Sequence, residues 1–174
     1  MVGYEDIKKK ISKHTKALVV VTLGGIRIED RVFDLAKKYG GPVVIDAAQS
    51  LGIPESQGDY VCYSFQAIKH FTTGDGGMLV VRNRKEYERA KKLRWFGIDR
   101  EAKIRANWKW RVNHEMAMDI EELGYKFQMN DVAAAMGLVG LKHSDEALSY
   151  RRKLCRLYRE ELPNYKVIYG EGAW

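Results

Sequence analysis

Apolar residues in the first half of the chain fall into short continuous runs separated by polar segments. Runs of this kind are typical of strands buried on both faces of a sheet; they cover residues 17–23, 43–46, 60–65 and 77–82. Between the first two runs, the apolar positions of residues 29–39 recur at helical spacing, and Gly40 and Gly41 are typical of a helix end. This alternation predicts an α/β fold, with a mainly parallel sheet and flanking helices.

The second half of the chain begins with a predicted helix from about Lys85. Asn83 and Glu86 have the spacing of a helix cap and its capping-box partner. Residues 100–123 show no clean period, and a segment of that length without an element is often a functional loop.

Two further helices are predicted near the end of the chain. Residues 131–141 are apolar nearly all round, which predicts a helix that is deeply buried or that packs against another subunit. Ser144 is the expected cap of a last amphipathic helix, which Pro163 ends. We expect residues 1–162 to form part of one large domain. Residues 163–174 would then begin a small C-terminal domain, so the chain is expected to be part of a longer protein.

Composition and charge narrow the class of protein. The 174 residues carry 30 basic and 23 acidic side chains, a net charge of +7 that suits either a phosphate-rich partner or solvated helix surfaces. Basic and acidic residues are interleaved, as in RNRKEYERAKKLR, which favours the solvated surface. No apolar run approaches the ~20 residues that a bilayer crossing needs. Two cysteines and no apolar signal-peptide block predict a cytoplasmic location.

Asp46 is the most informative acidic residue, because it ends the predicted strand VVID. Ligands of open α/β sheets collect at the carboxyl ends of strands, and an unpaired buried carboxylate is costly. Asp46 could therefore bind a cationic or hydrogen-bonding group. It could equally cap the short turn that follows, and the residue alone does not decide between the two.

Lys69 follows the third predicted strand, in YSFQAIKHFTTGDGGML. Desolvation in apolar surroundings favours the neutral amine, which can attack a carbonyl carbon and form a Schiff base. A lysine at such a place can also extend to the surface and carry only charge. Cys62, within the strand, is expected to be an inert core side chain.

The combination of Asp46 and Lys69 indicates a specific cofactor. Each residue lies at the end of its own predicted core strand, so both can face one crevice. Pyridoxal phosphate needs an amine for its aldehyde and a carboxylate that keeps its ring nitrogen protonated. Gln49 and Ser64 add neutral donors, suited to the ring hydroxyl and the phosphate.

Three ordered blocks of sequence carry a resemblance to a known family. They are VVIDAAQSLG, YSFQAIKHFTTGDGGML and LGYKFQMNDVAAAMGLVGL. In these blocks the chain resembles the DegT-type sugar aminotransferases, which are fold-type-I enzymes that use pyridoxal phosphate. The resemblance implies that the chain is the central part of their large domain, and that an amino acid, glutamate in our expectation, donates its amino group to a nucleotide-linked keto-sugar.

The resemblance also implies roles for individual residues. Lys69 matches the lysine that holds the cofactor covalently and then moves protons, and Asp46 matches the acid on the ring nitrogen. Gln49 matches the residue near the ring hydroxyl, and Ser64 a phosphate ligand. Lys126 stands where relatives often have an asparagine that reaches the cofactor phosphate of a neighbouring subunit.

The resemblance further implies a homodimer with a shared site, and residues 100–123 and 131–141 are the candidate interface. We expect neither a membrane nor a nucleic acid as partner. The alternatives are an α/β phosphate or nucleotide binder without covalent chemistry, a basic nucleic-acid-binding domain, and an aminotransferase fragment that is inactive by itself. No CxxC pair or regular histidine spacing indicates a metal site.

Overall fold

A computed structural model of the chain describes residues 3–53, 57–105, 120 and 122–164. The helices in these residues are α1 (Tyr4–Lys10), α2 (Asp30–Tyr39), α3 (Arg84–Leu93), α4 (Arg100–Arg105), α5 (Asp131–Leu141) and α6 (Ser144–Glu161), with a short 3-10 turn at Leu23–Gly25. The strands are β1 (Leu18–Val21), β2 (Val43–Asp46), β3 (Tyr60–Ser64) and β4 (Gly77–Val81).

The strands form one sheet in the order β1-β2-β3-β4. β1 pairs in parallel with β2, and β2 pairs in parallel with β3. The predicted α/β class, with a mainly parallel sheet and flanking helices, is therefore confirmed.

The core lies on one face of this sheet. Val20, Ile45 and Val61 occupy matching register positions, and all three are buried. They pack with apolar side chains of α1 and α2, including Ile7 and Phe33. Since the apolar positions of α2 recur at helical spacing, its apolar face is the one that meets the sheet.

The prediction of strands buried on both faces is wrong for the two outer strands. In β1, Val19 is 66% exposed and Val21 is 47% exposed, and three consecutive residues of β4 (Met78, Leu79 and Val80) are exposed as well. In β1 the reason is geometric: alternate side chains of a strand point to opposite faces, and the described core cluster packs against one of them. In β4 the exposed residues are consecutive and lie on both faces, because the described core cluster contains no residue of this strand.

Several predicted helix boundaries are confirmed. α2 ends at Gly40, whose φ of 73° is a left-handed conformation that glycine adopts without a Cβ penalty. The side chain of Asn83 accepts a hydrogen bond from the N–H of Glu86 at 2.9 Å, as the capping pattern predicts. α6 ends two residues before Pro163.

Two expectations about the last helices need correction. Ser144 is the first residue of α6 and not its cap, because its hydroxyl donates to the carbonyl oxygen of Leu141 at 2.9 Å. α5 is not deeply buried within this chain, where Gly137 is its one buried residue among those described. The other expectation, that α5 packs against another subunit, stays a prediction.

The segment predicted to lack elements contains one. Residues Arg100–Arg105 form α4, whose N-terminal turn is held by Asp99, which accepts the N–H of Ala102 at 2.8 Å. The rest of this segment, apart from residues 120, 122 and 123, lies outside the described residues, as does most of the expected start of a small domain at 163–174.

The chain divides into two compact units, residues 1–80 with 131–174, and residues 81–130. The first unit contains β1 to β3, most of β4, and the helices α1, α2, α5 and α6; the second contains α3 and α4. In the described part of the chain no helix is long and apolar enough to cross a membrane.

We expect Gly77→Ala to lower the free energy of unfolding by about 2 kcal/mol. A Cβ at Gly77 would lie 2.4 Å from the carbonyl oxygen of Tyr63, and backbone atoms of the adjacent strand cannot swing aside. Urea denaturation followed by circular dichroism measures the change.

Gly41→Ala is the matched control for this substitution, because its Cβ would make only an ordinary contact, 3.4 Å from the carbonyl oxygen of Lys16. Equal stability of Gly77→Ala and Gly41→Ala would contradict the described pairing of β3 with β4.

Candidate active site

Two of the predicted site residues end neighbouring parallel strands. Asp46 is the last residue of β2, and Ser64 is the last residue of β3. Asp46 lies opposite Cys62 in the register, and side chains alternate along a strand, so Asp46, Cys62 and Ser64 share one face. That face is opposite the one on which Ile45 and Val61 join the core. The structure thus brings Asp46 and Ser64 together at one edge of the sheet.

The carboxylate of Asp46 is half-buried and partly used by its own turn. Its Oδ1 accepts a hydrogen bond from the N–H of Ala48 at 3.1 Å, so the turn-capping interpretation is correct for this oxygen. Within residues 3–53, 57–105, 120 and 122–164, Oδ2 accepts no hydrogen bond. A carboxylate has about four acceptor positions, so Asp46 can cap the turn and still accept a proton donor from a ligand.

Gln49 is oriented by the loop that follows β1. Its Oε1 accepts the backbone N–H of Gly24 at 2.9 Å, and Gly24 has a φ of 61°, which suits glycine. A backbone N–H only donates, so the amide oxygen must face it. The amide nitrogen of Gln49 is therefore left to donate to another group.

Ser64 has a similar arrangement on β3. Its Oγ accepts the N–H of Gln66 at 3.3 Å, and the side chain is half-buried. Because this bond uses a lone pair, the hydroxyl hydrogen stays available to donate.

Lys69 lies in the turn after β3, five residues beyond Ser64. Its backbone N–H donates to the carbonyl oxygen of Gln66 at 2.9 Å, and the hydroxyl of Thr72 donates to the carbonyl oxygen of Phe65 at 2.9 Å. These two bonds hold the backbone of the turn directly after the strand. The side chain of Lys69 is half-buried. The covalent role of its amine stays a prediction.

The neighbouring His70 is packed toward α6. Burial lowers the pKa of the His70 imidazole, the positive charge of Arg151 lowers it further, and a hydrogen bond with the backbone of Leu51 opposes both. A lowered pKa favours the uncharged imidazole at neutral pH. His70 therefore adds no positive charge to the turn that carries Lys69.

Cys62 was expected to be a core side chain, and this is wrong. It is half-buried on the face of Asp46, and both burial and the negative charge of Asp46 raise the pKa of its thiol. The signal that could have revealed it is the period of two along β3, because Cys62 and Ser64 must share a face. Cys62 and Cys155 are both free cysteines.

Lys126 lies in the second unit, where it forms an isolated antiparallel bridge with Trp95 and is exposed. Its predicted contact with a cofactor phosphate stays a prediction. The same unit has a cavity of about 180 Å³ lined by Trp95, Ile104 and several charged side chains, and none of the predicted site residues lines it.

The sequence shows no sign of a pair of buried hydroxyl groups that contacts the backbone of Asp46. Thr22 and Ser50 are both fully buried, and their oxygens lie 2.6 Å apart. No local pattern marks them, because they are 28 positions apart in the sequence and the pairing of β1 with β2 brings them together.

The donor set of the first unit fits pyridoxal phosphate. One carboxylate oxygen of Asp46 can accept a ring N–H, the amide nitrogen of Gln49 and the hydroxyl of Ser64 can donate to phenolate and phosphate oxygens, and Lys69 supplies an amine. A metal ion fits less well, since the described residues contain no group of three or more His, Cys, Asp and Glu side chains that could hold one.

Comparison with known proteins agrees with this chemistry. Residues 1–170 match the model of the DegT/DnrJ/EryC1/StrS aminotransferase family. A curated relative is the UDP-4-amino-4,6-dideoxy-N-acetyl-beta-L-altrosamine transaminase of Campylobacter jejuni, 33% identical over 87% of this chain. Among solved structures, the sugar aminotransferase CalS13 of Micromonospora echinospora superimposes with a TM-score of 0.80 and 30% identity over 97% of this chain.

A second solved structure is described as the PMP-form of a sugar aminotransferase, Spr1654 of Streptococcus pneumoniae. It matches 90% of this chain with a TM-score of 0.74 and 27% identity. These likenesses confirm the predicted fold, the central part of the large domain of a fold-type-I transferase.

The chain spans less than half the length of the proteins it matches. It covers 39% of the Campylobacter enzyme, 48% of CalS13 and 45% of Spr1654.

We expect Asp46→Asn to lower the pKa of the Cys62 thiol. The pKa is raised first by burial and then by the charge of Asp46, so removing the charge lowers it, while burial keeps it above its ordinary value. The pH dependence of alkylation by iodoacetamide measures the shift, because the thiolate is the reactive form. At pH 8 the variant should react faster than the parent.

The measurement is made in a Cys155→Ser background, so that Cys62 is the only thiol. Asp59→Asn is the control, because the Oδ2 of Asp59 accepts the N–H of Val43 at the opposite end of β2. An alkylation profile that moves with Asp59 and not with Asp46 would contradict the described register.

Proposed function

The chain belongs to the DegT/DnrJ/EryC1/StrS aminotransferase family, and on that premise we propose that it carries the cofactor-binding centre of a pyridoxal-phosphate-dependent sugar aminotransferase. The observation that carries the proposal is the alignment of β2 with β3, which puts Asp46 and Ser64 at one edge of the sheet, directly before the turn of Lys69. Ligands of open α/β folds bind at this kind of edge.

Three side chains would hold and orient the cofactor. Asp46 would accept the N–H of the ring nitrogen through the oxygen that its turn does not use. Gln49 would donate its amide N–H to the ring hydroxyl oxygen, because its amide oxygen already accepts the N–H of Gly24. Ser64 would donate its hydroxyl to the phosphate. The bound cofactor supplies an electron sink for the electron pair left when an amino acid loses its α-proton.

Lys69 would do the proton chemistry. Its amine would hold the cofactor covalently in the resting protein, and substrate amine would displace it. The freed Nζ would then take the proton from the α-carbon of the donor amino acid as a general base, and would deliver it as a general acid to the former aldehyde carbon of the cofactor. The turn between Gln66 and Thr72 keeps Lys69 close to the strand end during both steps.

The substrates follow from the family and its named members. The Campylobacter relative is by its name a transaminase of a UDP-linked amino sugar. We propose a nucleotide-linked keto-sugar as acceptor, an amino acid as donor, with glutamate as the expected one, and the cytoplasm as the location.

A homodimer is part of the proposal, and α5 is its candidate interface. Val132, Leu138 and Val139 are between 59% and 73% exposed, although the helix is apolar nearly all round. A contiguous exposed apolar surface is typical of a subunit contact.

Borohydride reduction tests the reaction class. With added pyridoxal phosphate, reduction should attach the cofactor permanently to Lys69, which peptide mass spectrometry locates. Lys69→Ala should lose this adduct, and Lys69→Arg should lose it while keeping the positive charge. An adduct spread over many surface lysines would contradict the proposal.

The alternatives predict different results. A phosphate binder without covalent chemistry would bind the cofactor but leave Lys69 unmodified after reduction. A nucleic-acid-binding domain would show no preference for the cofactor, and its affinity for DNA or RNA would fall steeply with salt.

A charged substitution on α5 tests whether this helix forms a dimer interface. We expect Leu138→Glu to shift the protein from dimer to monomer in sedimentation equilibrium, because a carboxylate buried in an apolar interface is unpaired. Leu157→Glu on α6 is the matched control, since Leu157 is also an exposed leucine on a helix. A wild-type protein that stays monomeric, or equal dissociation by both variants, would exclude α5 as the interface.

A further inference from the structure

Thr22 and Ser50 form a buried pair of hydroxyl groups that contacts the backbone of Asp46 and Ala47. Each is fully buried, and Thr22 Oγ1 lies 2.6 Å from Ser50 Oγ. Thr22 Oγ1 also lies 3.1 Å from the carbonyl oxygen of Asp46, and Ser50 Oγ lies 3.4 Å from that of Ala47. The two hydroxyl protons fill two of these three contacts at a time, in either direction along the chain of oxygens, so neither buried hydroxyl lacks a partner.

The pair acts on the main chain around Asp46. The N–H of Thr22 donates to the carbonyl oxygen of Asp46 at 3.0 Å, so both the backbone and the side chain of Thr22 hold the same oxygen. The N–H of Ser50 donates to Ala47 at 3.0 Å and closes the turn. Ala47 in turn donates to the carbonyl oxygen of Cys62 at 2.8 Å, which ties the turn to β3.

The same loop also orients Gln49. Two residues after Thr22, Gly24 donates its N–H to Gln49 Oε1. The segment 22–24 therefore contacts the turn 46–50 at the residue that would meet the ring nitrogen and at the one that would meet the ring hydroxyl.

We propose that Thr22, supported by Ser50, is a positioning residue that sets the direction of the Asp46 carboxylate toward the ring nitrogen of the cofactor. This inference rests on the proposed function. Without the Thr22 hydroxyl, the carbonyl group of Asp46 would be held by the N–H of Thr22 alone, and the turn could rotate. Hydrogen bonds weaken steeply as their angle departs from linearity, so the Asp46 carboxylate would stay near the ring nitrogen but at a poorer angle. A role in folding alone would instead weaken every cofactor contact together.

A pair of ligands separates these two roles. Pyridoxal phosphate and its deaza analogue, in which C–H replaces the ring nitrogen, differ only in the group that Asp46 would recognise. The ratio of their dissociation constants therefore measures the contact between Asp46 and the ring nitrogen, without any turnover. Equilibrium dialysis of the whole chain gives both constants.

We expect Thr22→Val to reduce the preference for the nitrogen-containing ring by roughly tenfold, the value of one charge-assisted hydrogen bond. Thr22→Ser should restore the preference, because serine keeps the hydroxyl. Ser50→Ala should have a smaller effect, since Thr22 can still donate to Asp46. Thr15→Val is the control: its hydroxyl accepts the N–H of Ser12 before β1, and the preference should not change.

Each outcome decides something. An unchanged ratio in Thr22→Val, with both constants weakened alike, would overturn the positioning role and leave the proposed function intact. A wild-type chain with no preference for the ring nitrogen, or one whose binding survives Lys69→Ala unchanged, would overturn the proposed function and the inference with it. If Thr22→Val fails to fold, as judged by circular dichroism, Ser50→Ala must still lower the ratio, or the inference is wrong.

Discussion

The parallel pairing of β2 with β3 is the constraint on which the candidate site depends. Backbone hydrogen bonds set Asp46 opposite Cys62, and from this register the face of every other side chain in the two strands follows. A slip of one residue would turn Asp46 into the core beside α2 and expose Ile45 to the site. Burial of an unpaired carboxylate and loss of the apolar core would oppose such a slip together.

Three of the site residues share one arrangement: a hydrogen bond within the protein orients the side chain, and another donor or acceptor position of the same side chain stays available. Asp46 uses one oxygen for its turn, Gln49 uses its amide oxygen for Gly24, and Ser64 uses a lone pair for Gln66. Each side chain is thereby restricted in conformation before any ligand arrives. Because these side chains are already ordered, ligand binding costs less conformational entropy.

Much of the fold was readable from local pattern. The strand runs, the helix that ends at Gly40 and the Asn83 cap all depend on neighbouring residues, and the structure confirms each of them. Burial was harder to read: Val19 and Leu138 are as apolar as core residues, yet both are exposed. An apolar run indicates that its residues can be buried, but the elements packed around each residue decide whether that residue is buried.

The sequence by itself determined the chemical groups of the candidate site, because Asp46, Gln49, Ser64 and Lys69 stand in recognisable blocks at strand ends. Tertiary structure alone decided which of their atoms remain available, and it alone revealed Thr22 and Ser50 beneath them. The physical reason is distance along the chain: Thr22 and Ser50 are 28 positions apart in the sequence. Only the pairing of β1 with β2 brings such positions together, and no local propensity encodes it.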